Sequence, residues 1–111
     1  LFYFTVPAGT EQFTLHACGV HPGYFNAWVF DPDGGSAGEI RGMNHGGARL
    51  SWINHTGEPD PTRTLTVRAK AEGRARNWRL LVSASGDINF WFTGIPSAVT
   101  TGRLSEGAIL D

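Results

Sequence analysis

The sequence predicts an all-β fold, an antiparallel β-sandwich of about eight short strands with a jelly-roll-like wrapping. Three observations predict it. Apolar and polar residues alternate in segment after segment, turn residues separate those segments at short intervals, and no stretch carries the three-and-four spacing of an amphipathic helix. Fifteen glycines, six prolines, seven phenylalanines and four tryptophans among 111 residues favour the same fold, since aromatic residues suit a pleated surface and Gly and Pro suit tight turns.

The first strand spans Leu1 to Val6, with Phe2, Phe4 and Val6 on one face and Tyr3 and Thr5 on the other. Pro7 and Gly9 end it. Gln12 to Ala17 resumes the period with Phe13, Leu15 and Ala17 inward. A loop with Gly19, Pro22, Gly23 and Tyr24 leads to a third strand, Ala27 to Phe30, apolar on both faces, in which Trp28 is expected in the core. A weaker strand covers Glu39 to Met43, and Arg49 to Ile53 supplies another, with Leu50 and Trp52 alternating against Arg49 and Ser51. The proline-rich stretch from Asn54 to Arg63 must be irregular. Thr64 to Ala69 alternates most cleanly, with Leu65, Val67 and Ala69 inward. The next inner face is Trp78, Leu80 and Val82, and the last is Ile88, Phe90 and Phe92.

Between the third and fourth strands lies Asp31-Pro32-Asp33-Gly34. Pro32 suits the second position of a type I turn and Gly34 suits positive φ, so a hairpin corner is predicted. The competing reading is calcium held by Asp31 and Asp33, with Glu39 as a further hard oxygen ligand. The longer acidic loop pattern that calcium favours is incomplete, so no cofactor is expected beyond that structural ion.

Length and charge narrow the function. At 111 residues the chain is one domain, 1–111, with one core, and its abrupt "LFYFTV" start suggests a segment of a longer polypeptide. A net charge of −1 supplies no field for nucleic acid or an anionic membrane, and no run of eighteen apolar residues spans a bilayer. The single Cys18 allows no intrachain disulfide and is expected as a small buried hydrophobe. His16, Cys18 and His21 superficially suggest zinc, but a closed site needs four ligands and no second pair has familiar spacing, so the histidines are expected to be isolated at the surface or at strand ends. Neither Asp31 with Asp33 nor Glu58 with Asp60 is flanked by an implied cleft, and no nucleophile elbow occurs, so no enzyme is expected.

Three stretches carry a family resemblance: "YFTVPAGTEQFTL" at 3–15, "VFDPDGG" at 29–35 and "NWRLLVSASGDINFWFTGIP" at 77–96. In order and spacing they resemble the bacterial pre-peptidase C-terminal domain and similar accessory modules of secreted polysaccharide-degrading enzymes. The likeness covers both ends of the chain and one hairpin, and little of residues 39–76. It implies a non-catalytic module, secreted or at the bacterial cell surface, that binds a polysaccharide or oligosaccharide or packs on the catalytic domain of the same polypeptide. It supplies no catalytic residue.

The candidate glycan contacts come from parity. With Phe90 and Phe92 inward, Trp91 must face out beside Asn89, and Tyr3 faces out by the same logic. An exposed indole stacks on CH-rich sugar faces with little entropy to lose. Tyr24 and Trp52 join them as candidates. Arg68 and Arg79, together with Lys70, are expected on neighbouring strands if the strands around them form a hairpin, as a patch for an acidic polysaccharide. The alternative function is an interdomain packing sandwich without a ligand of its own.

Overall fold

The computed structural model describes residues 1–19, 23–44, 62–85 and 88–102. Among them are seven strands and no helix: β1 (Phe2–Val6), β2 (Gln12–Gly19), β3 (Gly23–Phe30), β4 (Ser36–Asn44), β5 (Thr62–Arg68), β6 (Arg76–Ala84) and β7 (Ile88–Thr93). They form two antiparallel sheets, one of four strands in the order β1-β6-β3-β4 and one of three in the order β5-β2-β7. The pairings β3·β4, β2·β5 and β1·β6 nest about the β3–β4 hairpin and alternate between the sheets, as in a long hairpin rolled upon itself, which is the jelly-roll wrapping. The predicted strand at Arg49 to Ile53, with Trp52, lies outside the described residues.

Burial alternates with period two in β2, β3, β5 and β7, while in β1 and β6 the outward-parity Thr5 and Asn77 are buried as well. Phe4, Val6, Phe13, Leu15, Ala17, Val67, Trp78, Leu80 and Phe92 are buried between the sheets, and Phe2, Leu65, Val82, Ile88 and Phe90 pack around their edge. Four rings bridge the layers. Phe4 of β1 stacks on Phe92 of β7 with centroids 4.4 Å apart, and Phe13 of β2 meets Trp78 of β6 edge-on at 5.4 Å. Thr5 and Asn77 are buried opposite each other on β1 and β6, and the Thr5 hydroxyl donates to Asn77 Oδ1 at 3.2 Å.

The Asp31–Gly34 stretch is a hairpin corner. The Gly34 N–H donates to the Asp31 carbonyl at 3.0 Å, the Asp31 N–H donates to the Gly35 carbonyl at 2.9 Å, and Gly34 takes φ 90°. Asp31 Oδ1 accepts the N–H groups of Asp33 (2.9 Å) and Gly35 (2.8 Å), which gives this aspartate a structural task inside the turn.

Several expectations need correction. Strand β3 begins at Gly23, so Tyr24 is in a strand and not a loop. Trp28 is half-buried on the outer face of the four-stranded sheet instead of in the core, because Phe25, Ala27 and Val29 take the inward parity. Cys18 is half-buried and shares the outward parity of Thr14 and His16 on β2. Strands β5 and β6 do not pair: the Ala69–Ala75 connection crosses between the sheets, so Arg68 and Arg79 belong to different sheets and form no joint patch.

Among the described strands β1 and β7 lie at sheet edges, and both are capped. Tyr3 of β1 exchanges backbone hydrogen bonds with Thr100 (2.7 and 3.0 Å). On β7, the Ser97 hydroxyl donates to the Phe92 carbonyl (2.9 Å) and accepts its N–H (3.2 Å), imitating a neighbouring strand and pinning the residue next to Trp91.

Gly42 lies opposite Phe25 in the β3·β4 ladder, and a Cβ there would meet the Phe25 ring, which is buried and has no room to withdraw. Gly42→Ala is therefore expected to lose about 1–3 kcal/mol by overpacking, read as a lower urea midpoint at unchanged slope.

Candidate functional site

The outer face of the three-stranded sheet follows from what its strands bury. With Phe13, Leu15 and Ala17 of β2, Val67 of β5 and Phe92 of β7 inside, the residues between them turn outward. Cross-strand register arranges them in rows. His16 lies between Thr64 and Trp91, Thr14 lies between Thr66 and Thr93, Cys18 is opposite Asn89, and Gln12 is opposite Arg68.

Trp91 is 36% exposed. It stacks on His16 with ring centroids 5.2 Å apart and planes only 3° from parallel, the geometry of an offset stack. His16 Nε2 is in turn hydrogen-bonded to Thr93 Oγ1 at 2.9 Å, which fixes the imidazole plane and, through it, the indole. Thr14 and Thr66 hydroxyls meet at 3.3 Å in the next row. The result is a braced aromatic ring bordered by hydroxyls and the exposed Asn89.

Such a surface can stack on one apolar face of a hydroxylated ring and exchange hydrogen bonds with its hydroxyls. Among the described residues the register puts Thr, His, Cys, Asn, Gln, Arg and Trp side chains on this face.

The sequence-predicted site residues divide between the two sheets. Trp91, Asn89 and Arg68 share the three-stranded face. Tyr3, half-buried, and Tyr24, 53% exposed, stand on the outer face of the four-stranded sheet together with Arg79. Asp31 and Asp33 stand at the hairpin corner, and among the described residues no group of three or more His, Cys, Asp or Glu side chains gathers as a metal-binding set. Trp52 falls outside the described residues.

His16 and the threonines were not foreseen as site residues. Their outward parity is visible in "QFTLHA" and "TRTLTV", but the β2·β7 register that seats His16 on Trp91 joins residues far apart in the chain. No protein-family model, curated protein or solved structure matches this chain.

Stacking of this kind between directly opposed residues carries a measurable coupling. A double-mutant cycle of His16→Ala and Trp91→Ala in urea unfolding is expected to show an interaction of about 0.5–1 kcal/mol. Strict additivity would mean that the two rings do not brace each other.

Proposed function

We propose that this domain is a non-catalytic carbohydrate-binding accessory module, which uses the outer face of its three-stranded sheet to hold a glycan. The single observation that carries the reading is the braced, exposed Trp91. A ring locked by His16 loses little freedom on binding, and its polar surroundings suit hydroxyl groups better than an apolar protein partner. The resemblance of residues 3–15, 29–35 and 77–96 to accessory modules of secreted bacterial polysaccharide-degrading enzymes points the same way. A module of that kind would work outside the bacterial cell beside a catalytic domain of its own polypeptide, which is part of the same proposal.

The packing function has an observation of its own. The outer face of the four-stranded sheet carries exposed Tyr24 and Leu81 with half-buried Trp28 and Phe30, interleaved with Arg79, Glu39 and the exposed Arg41. An aromatic surface of this mixed kind fits an interdomain contact. The two faces then divide the work, glycan on one and catalytic domain on the other.

Isothermal titration against neutral and acidic polysaccharides tests the glycan reading. The domain is expected to bind at least one of them, and Trp91→Ala to weaken that binding about tenfold or more without loss of fold, while Tyr24→Ala leaves it unchanged. Absence of heat with every glycan would favour the packing function alone.

A further inference from the structure

A cavity of about 180 Å³ opens at the end of the sandwich where the hairpin corner and the β1–β2 loop meet the segment after β5. That volume is well below the roughly 300–1,000 Å³ of pockets that enclose drug-sized ligands, so it suits one small ring. Pro7, Pro32, Ala37 and Trp78 supply apolar lining, and Trp78 is otherwise buried in the core at 6% exposure.

The charged lining has both signs, with Asp31, Asp33 and Glu72 against Arg68, Lys70 and Arg74. Each carboxylate has a partner within the protein. Asp31 Oδ1 accepts two turn N–H groups, Glu72 Oε1 lies 3.3 Å from Arg76 Nη1, and Asp33 Oδ1 lies 3.9 Å from Arg76 Nη2. Among the described residues no ion pair engages Arg68, Lys70 or Arg74. With Arg76 counted, four cationic groups stand against three carboxylates around the mouth, and Arg68, Lys70 and Arg74 are the ones left for a ligand.

The mouth is also held in place. Ala69 N–H donates to the Glu11 carbonyl (2.7 Å), Ala71 N–H to that of Thr10 (2.9 Å) and Gly9 N–H to that of Glu72 (2.9 Å). Ala71 sits at φ 50°, a left-handed conformation that a non-glycine residue keeps only when its surroundings enforce it. Lys70 is thereby fixed between two tethered residues.

From this geometry we infer that the cavity binds a small ring bearing an anionic group, a sugar acid whose carboxylate meets Arg68, Lys70 and Arg74 while its ring lies against the Trp78 and proline lining. Guanidinium forks suit a carboxylate, and a charge-assisted pair at a partly enclosed mouth is stronger than one on an open surface. Arg68 also stands opposite Gln12 at the end of the Trp91 face, so the cavity and that face adjoin. Naming the occupant as the terminal residue of an acidic polysaccharide rests on the carbohydrate reading above; the preference for an anionic ring does not.

Sodium glucuronate, glucose and sodium sulfate, titrated separately into the ¹⁵N-labelled domain, test the assignment. Glucuronate is expected to give saturable shifts at the amides of Ala37, Lys70 and Glu72, with glucose giving none. Arg68→Ser combined with Arg74→Ser, both at exposed positions, is expected to weaken glucuronate about tenfold, whereas Trp91→Ala leaves it unchanged. Equal shifts with glucose, reproduction of the effect by sulfate alone, or a double variant that titrates like the parent would overturn the inference. Polysaccharide binding lost in Trp91→Ala, with no glucuronate titration, would overturn the cavity assignment and leave the module intact. Glucuronate binding without any polysaccharide binding would do the reverse.

Discussion

The structure depends on the packing of four aromatic rings between its two sheets. Phe4 and Trp78 come from the four-stranded sheet, Phe13 and Phe92 from the three-stranded one, and each ring lies within 6.5 Å of another across the interface. Because a strand alternates strictly, seating Phe92 inside commits Trp91 to the outside, and seating Phe13 and Leu15 commits Thr14 and His16 to that same outer surface. A slip of one residue in β7 would exchange Phe92 for Trp91 and dismantle core and surface together. The candidate site is thus a consequence of the core and not an addition to it.

The nested wrapping turns that local parity into a surface. It lays the last described strand beside the second, so that His16 meets Trp91 and Thr93 without any sequence proximity. Ser97 then satisfies the backbone of Phe92 on the open edge of β7 and holds the strand where the indole needs it. A ring braced in this way has surrendered much of its freedom before a ligand arrives, which is the condition under which an exposed aromatic binds most effectively. The opposite sheet, with its exposed Tyr24 and Leu81, has a different character, so the molecule presents two chemically distinct faces.

What could be read in the sequence was whatever depends on neighbours a few residues apart. The inward sets of β1, β2, β5, β6 and β7 were legible as alternation, and the Asp31–Gly34 corner as turn chemistry. Trp28 was misassigned because "AWVF" is apolar throughout and hides its parity; only the burial of Phe25 and Ala27 decides which face is inside. Arg68 and Arg79 were expected together because consecutive strands often form hairpins, whereas the seven residues between β5 and β6 carry the chain from one sheet to the other. His16 reads as isolated in the sequence for the same reason, since strand pairing at long range leaves no local trace.

If the outer face of the three-stranded sheet receives the glycan, the location of the bound ligand can be measured. An amide shift map of the ¹⁵N-labelled domain with an oligosaccharide that it binds reads this directly. Shifts gathered on Thr14, His16, Thr64, Thr66, Asn89, Trp91 and Thr93 are the predicted result. Shifts gathered instead around Tyr24, Trp28 and Leu81 would give the ligand to the opposite sheet and rule out the Trp91 face.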